Sequence, residues 1–306
     1  MNARNWGLLL FLSLLWGSSF FFYKVLVAVL PPVTVVLGRV GFAAIALNLW
    51  LAVRGTPLSL GGGLWKRFLL LGLLNNAIPF VLIAWGELTP DPPHAAQHIT
   101  SGMASILNAT TPIFMVVVAH LGTHDEKLSA AKVLGIAFGI VGTVVLVGPA
   151  AFAGTSYIWG ELAVIAASCT YAFAGVYSRR FTGLAPLTAA TGQITGAAAI
   201  LLPLSLLVDR SWHYAVPDVR IWAAWLAIAL VNTALAYVVY YRMLATAGVT
   251  AISLTTFIIP PIAVVLGAAV LAEPVTWNAI AGMGIIALGI LAIDGRFMRR
   301  RTVAAA

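Results

Sequence analysis

Two stretches of this chain, Ala104–Phe114 (ASILNATTPIF) and Ala251–Ile262 (AISLTTFIIPPI), place hydrogen-bonding side chains ahead of a proline at matching spacing. Ser105, Asn108 and Pro112 stand at i, i+3 and i+7, and so do Ser253, Thr256 and Pro260. In a helix that spacing collects each set on one face. A proline inside a helix removes a backbone donor and pushes away the carbonyl four residues earlier. A membrane tolerates this only where something else satisfies the freed group. Pro112 and Pro260 are therefore expected to be hinge or gate residues, with Asn108, Ser253 and Thr256 offering hydrogen bonds to a small molecule. The same spacing also suits a static kink capped against a neighbouring helix.

Other polar and aromatic residues sit within long apolar runs. Asn75, Asn76 and Asn232 lie near the middle of theirs, where a buried amide needs a partner in protein or water. Asn75 and Asn232 are favoured as site residues over interhelical glue because they correspond in a repeat described below. Trp16, Phe20 and Tyr23 form a helical stripe, and Tyr237, Tyr240 and Tyr241 a second group. Such faces sandwich a flat or aliphatic side chain as readily as they pack a core. Trp16 lies about 15 Å into its helix, too deep for an interfacial belt. Trp16, Ser19 and Tyr237 join the candidate list. Lys24 and Arg39 are the two cations inside apolar runs, each about 10 Å from Pro31-Pro32. They are candidates for contact with a substrate carboxylate, or for snorkelling to the surface and pairing with Glu87 or Glu161. His94/His98 and His120/His124 mimic ligand pairs, but about 33 Å of helix separates them, so no shared metal is expected.

The elements that must hold these residues follow from composition. Mean hydropathy is +1.01, with 61% hydrophobic and 8% charged residues, a balance that leaves a 306-residue soluble domain without a polar surface. Runs of about 20 apolar residues match the hydrocarbon thickness of a bilayer. Ten spans fit, at 6–30, 33–53, 66–88, 97–120, 128–150, 157–178, 186–208, 221–244, 249–272 and 277–295. With the N-terminus inside, 13 of the 17 Lys and Arg fall on the cytoplasmic side and only Arg210 and Arg220 outside. That bias predicts both termini in the cytoplasm. The single Cys169 excludes an intrachain disulfide.

The chain also repeats itself. Pro32-Val-Thr34 through Gly38-Arg39 matches Pro186-Leu-Thr188 through Gly192-Gln193, an offset of 154 (Pro32 to Pro186). Leu73-Leu-Asn75-Asn76-Ala matches Leu230-Val-Asn232-Thr233-Ala at 157 (Asn75 to Asn232). Gly135 and Gly142 match Gly282 and Gly289 at 147. Five spans per half is an odd number, so the halves, 1–150 and 151–306, are expected to be inverted with a substrate site between them near the midplane. The glycines are expected to pack helices within the bundle, and the protein to be a monomer rather than a homodimer.

Inverted five-helix halves, the WGSSF stretch Trp16–Phe20, the two prolines, and acidic turns at Glu126 and Glu273 together resemble the drug/metabolite transporter superfamily. Within it the chain is similar to EamA-type transporters, and most to YddG-type exporters of aromatic and other neutral amino acids. The second half has Cys169-Thr-Tyr171-Ala where a second WGSSF would stand. The resemblance implies an all-α integral membrane protein of the bacterial inner membrane that exports amino acids or similar small metabolites by alternating access. It implies a small-molecule substrate, contact with membrane lipid, and neither nucleic acid nor cofactor. A multidrug or nucleoside exporter is the alternative within transport. A membrane-embedded enzyme would need a nucleophile, a base and an orienting group converging at depth. Ser and Asn are present there without His or acid beside them, so no enzyme is expected. Gly61-Gly-Gly63 lacks the Lys and Ser/Thr of a nucleotide-binding loop.

Overall fold

A computed structural model describes residues 3–58, 61, 63–88, 99–122, 130–152, 157–181, 183–210, 214, 217–253, 255–272 and 274–294. The described residues form helices and connections, with no strand among them. The helices are α1 (Ala3–Val27), α2 (Pro32–Val53), α3 (Leu64–Glu87), α4 (Ser101–Gly122), α5 (Ala130–Phe152), α6 (Ile158–Phe181), α7 (Pro186–Asp209), α8 (219–253), α9 (Thr255–Leu271) and α10 (Trp277–Asp294). Seven apolar helical stretches, α1 to α4 and α6 to α8, are long enough to cross a membrane. Shorter apolar stretches lie in α5, α9 and α10. The protein is a multi-pass membrane protein.

Most of the closest helix pairings join one half of the chain to the other. Helix α10 packs along α5, α9 along α1, α3 along α6, α7 along α2, and α7 and α8 reach α3 and α2 respectively. Small residues permit this closeness. At Gly142 an added Cβ would stand 2.7 Å from Ile286 Cγ1, and at Gly289 2.7 Å from the Gly135 carbonyl. The glycines of α5 and α10 thus face each other within the chain. Two larger side chains also enter glycine notches. Trp225 of α8 fills the notch at Gly38 of α2, and Phe68 of α3 fills the one at Gly192 of α7. These contacts are counterparts at the repeat offsets, 154 for the glycines and 157 for the rings.

Three helices contain wide, π-helical turns: Leu73–Ala77 in α3, Ser205–Asp209 in α7 and Ala227–Leu235 in α8. In α3 the cause is legible. Pro79 has no N–H for the Asn75 carbonyl, and Ile78 N–H instead reaches back five residues to Leu73 O. In α8 the Thr233 hydroxyl donates to Ile228 O, also five residues back.

Two expectations need correction here. The break expected between the spans 221–244 and 249–272 is absent, since helix continues from Ala236 to Ser253; an isolated glycine such as Gly248 lowers helix propensity without ending a helix. Nor do Ser105, Asn108 and Pro112 share an unbroken helical face. Helix α4 is interrupted at Ala109-Thr110, between Ser101–Asn108 and Thr111–Gly122. The proline ring excludes the Asn108 carbonyl from the ladder. Thr111 Oγ1 donates to that carbonyl at 2.7 Å, and Ser168 Oγ of α6 lies 3.3 Å from it.

Candidate functional site

The buried polar groups converge where α2 and α3 meet α7 and α8. Arg39 of α2 is 3% exposed. Its Nε donates to Thr233 Oγ1 of α8 at 2.8 Å, and Nη2 stands 3.5 Å from Ser19 Oγ of α1. The guanidinium lies over the Phe80 ring, 3.8 Å from its centroid, and 5.0 Å from the centroid of Tyr23. It therefore turns inward rather than snorkelling, although Pro31-Pro32 is only a few turns away. Aromatic faces shelter the charge.

Across the same interior, Gln193 of α7 and Asn76 of α3 are fully buried. Gln193 Nε2 donates to Asn76 Oδ1 at 2.6 Å, Asn76 Nδ2 donates to the Tyr237 hydroxyl at 2.9 Å, and the Tyr241 hydroxyl donates to Gln193 Oε1 at 2.7 Å. Gln193 is the repeat counterpart of Arg39, and Asn76 that of Thr233. The second helix of each half thus bonds the same position in the third helix of the other. Phe80, under Arg39, is likewise the counterpart of Tyr237, which receives Asn76.

Of the residues expected at the site, the structure places Trp16, half-buried, against Tyr237 and Tyr240, with ring centroids 6.1 and 5.7 Å apart. Tyr237 joins this aromatic group to the amide network. Ser19 is buried beside Arg39 and donates to Leu15 O at 3.3 Å. Asn75 is half-buried and makes no hydrogen bond with a described residue. Its counterpart Asn232 is buried and tied to the Leu15 carbonyl and Ser18 Oγ of α1. Asn108 lies near Ser168 of α6, with its Oδ1 3.4 Å from Ser168 Oγ. Ser105 uses its hydroxyl on Gly102 O.

Lys24 stands apart from Arg39, donating to the carbonyls of Glu87 and Ile99 at 3.0 and 3.2 Å, and so braces α1 against the end of α3. Pro260 is buried within α9. The side chains of Ser253 and Thr256, and residues His94, His98, His124, Glu126 and Glu273, lie outside the described residues. Among the described residues no three His, Cys, Asp or Glu are grouped as metal ligands. Gln193 and Thr233 were not marked as site residues by sequence reasoning. The signal was present in their positions opposite Arg39 and Asn76 in the repeat.

The model of the EamA-like transporter family matches the chain twice, over residues 5–148 and 158–293. The chain belongs to the EamA-like transporter family. It is 26% identical over 295 residues to the uncharacterized transporter YoaV of Bacillus subtilis, covering 94% of this chain and 96% of that protein. The uncharacterized inner membrane transporter YedA of Escherichia coli K12 is also 26% identical, with 95% and 91% covered. A probable terminal-alkyne amino-acid exporter of Streptantibioticus cattleyicolor is 27% identical over 223 residues, covering 72% of this chain and 70% of that one. A crystal structure 19% identical in sequence superposes with a TM-score of 0.67 over 96% of this chain and 98% of its own, a likeness of fold. As an EamA-like transporter, the chain has a small-molecule substrate and a lipid environment.

Proposed function

We propose that this EamA-like transporter exports amino acids or similar small metabolites across a bacterial inner membrane by alternating access. In this reading ten helices cross the bilayer as two inverted halves, 1–150 and 151–306, with both termini in the cytoplasm. The observation that carries it is the reciprocal pairing of Arg39 with Thr233 and of Gln193 with Asn76. Halves that exchange equivalent contacts suit a carrier with its site at their interface. Trp16, Tyr237 and the uncommitted amide of Asn75 supply an aromatic wall and a hydrogen-bonding group there. The amino-acid exporter among the relatives supports the substrate class. Movement down the substrate gradient is the favoured drive, since Glu87 and Glu161 lie at helix ends. The protein acts as a monomer, with Pro112 and Pro260 as paired hinges.

The test is counterflow in liposomes holding the purified protein. Labelled phenylalanine or leucine should accumulate against an unlabelled internal pool, and Trp16→Ala, Asn75→Ala and Asn232→Ala should each slow it. Failure of every amino acid tried would sink the substrate class. For topology, after Cys169→Ser, cysteines at Ser156 and Ser211 should react with an impermeant reagent in intact cells while one at Ser129 does not; the opposite pattern would overturn the inverted arrangement.

A further inference from the structure

The two reciprocal pairs differ in one respect that packing does not explain. Gln193 performs the inter-half bond with a neutral amide, and both ends of that amide are engaged. Arg39 performs the equivalent bond with its Nε alone. Apart from the long approach of Nη2 to Ser19, its terminal N–H groups make no hydrogen bond of ordinary geometry with a described residue, although the Tyr23 hydroxyl lies within their electrostatic reach. A guanidinium carries five donors in a planar fork. Burying its charge costs far more than burying an amide. The interlock itself therefore has no need of the charge. The Tyr23 hydroxyl, 1% exposed, has no other hydrogen-bond partner among the described residues. Tyr23 and Phe80 hold the guanidinium by its faces, which leaves the Nη edge as the part able to meet a ligand.

We infer that Arg39 and Tyr23 form a receptor for a free carboxylate, and that the carboxylate is the selected group of the transported molecule. The fork accepts two carboxylate oxygens side by side, a geometry that lysine or an amide cannot copy, and the tyrosine hydroxyl donates a further bond. Thr233 and Tyr237 lie one turn apart on α8, so a molecule held at Arg39 has the Trp16–Tyr237–Tyr240 rings close by for an apolar body. The nearby acid, Glu87, accepts from Ser101 and carries the carbonyl that holds Lys24. Since the receptor reads the carboxylate, the class is monocarboxylates with a flat or apolar body, amino acids being one subset. This rests on the exporter reading only for its place in a transport cycle.

Binding to the purified full-length protein, by titration calorimetry and by shift of the melting temperature, separates the two. The probes are phenylalanine, 3-phenylpropionate and phenylalaninamide. Both acids are expected to bind within about tenfold of each other, and the amide at least tenfold more weakly. Arg39→Gln, which installs the residue the other half uses, should remain folded and lose both acids by tenfold or more. Arg39→Lys should fall between, and Tyr23→Phe should weaken the acids about threefold to tenfold. The assignment is overturned if the amide binds as well as phenylalanine, if neither acid binds, if 3-phenylpropionate fails where phenylalanine succeeds, or if Arg39→Gln binds either acid like wild type. Acids that bind without any counterflow would count against the exporter reading instead. Counterflow indifferent to the carboxylate would count against the receptor and leave the exporter standing.

Discussion

The Arg39–Thr233 and Gln193–Asn76 pairs occupy equivalent places in a duplicated architecture and solve the same packing problem with different chemistry. On the Gln193 side every polar group is matched to another, and the network closes through Tyr237 and Tyr241. On the Arg39 side a charge leans on two rings, and its terminal nitrogens make only a long approach to Ser19. The asymmetry continues at Asn75 and Asn232, of which only the second is tied to a neighbouring helix. It recurs at the ends of α2 and α7. Thr34, in the first turn of α2, accepts an intimate cap from the other half, its N–H and hydroxyl reaching Asp209 Oδ2 at 2.6 and 2.8 Å. Its counterpart Thr188 has no side-chain hydrogen bond with a described residue, and Arg54 and Gly55 stand where a second Asp209 would be. Duplication supplies the frame, and the departures from it mark where the halves have different work.

Forcing the two sides to match should break the protein most severely. Gln193→Arg introduces a second buried cation and strips Tyr241 of its acceptor. A loss of about 3–5 kcal/mol is expected, seen as little folded protein in detergent by size-exclusion chromatography. A variant as stable as wild type would mean the two sites are interchangeable. Filling the notches comes next. Gly38→Ala and Gly192→Ala each drive a methyl into a buried ring, Trp225 or Phe68, at about 1–3 kcal/mol. Similar falls in melting temperature would show that the notches are equivalent, and a large difference would show that one half is the more rigid.

The prolines provide a test of motion. Pro112→Ala and Pro260→Ala, in helices that the proposed inverted arrangement runs in opposite directions, are each expected to bias the conformer balance about tenfold, or ~1.4 kcal/mol, toward opposite-facing states. A cysteine at Ser105 would report this by its accessibility from either side. Shifts in the same direction would make both prolines static. The smallest effect is at the cap. Asp209→Ala should cost about 1 kcal/mol, while Thr188→Val should stay within about 0.5 kcal/mol of wild type. Equal effects would erase the difference between the two ends.

Much of the frame was legible because repetition survives in residue types. Gly38-Arg39 against Gly192-Gln193, and Asn75-Asn76 against Asn232-Thr233, could be aligned by eye. The partners could not. Helices apolar all round carry no stripe that separates a lipid-facing leucine from a core one, so the rotation that turns Asn76 toward Gln193 is invisible until both helices are placed. Depth misled for Arg39. Distance along α2 put it near the surface, whereas Phe80, more than a helix away in sequence, decides which way the side chain turns. Pro112 was recognised, but the interruption it causes at Ala109-Thr110 also depends on Ser168 of α6 to receive the freed carbonyl. Pro79 shows the same physics where attention had gone to the asparagines beside it.

The pairing of helices across the halves bears on how the chain is made. Since α1, α2, α3 and α5 find their closest partners in α9, α7, α6 and α10, the first half reaches the bilayer before those partners have been synthesised. At about 5–20 residues per second, the remaining half of the chain takes roughly 8–30 s to appear. Through that interval Gly135 and Gly142 of α5 lack their partner α10, and Thr233 has not yet been made. Tyr23 and Phe80, however, lie in the same half as Arg39 and are made with it. The first half therefore carries the shelter for its own charge while it waits, whereas Asn76 must wait for Gln193.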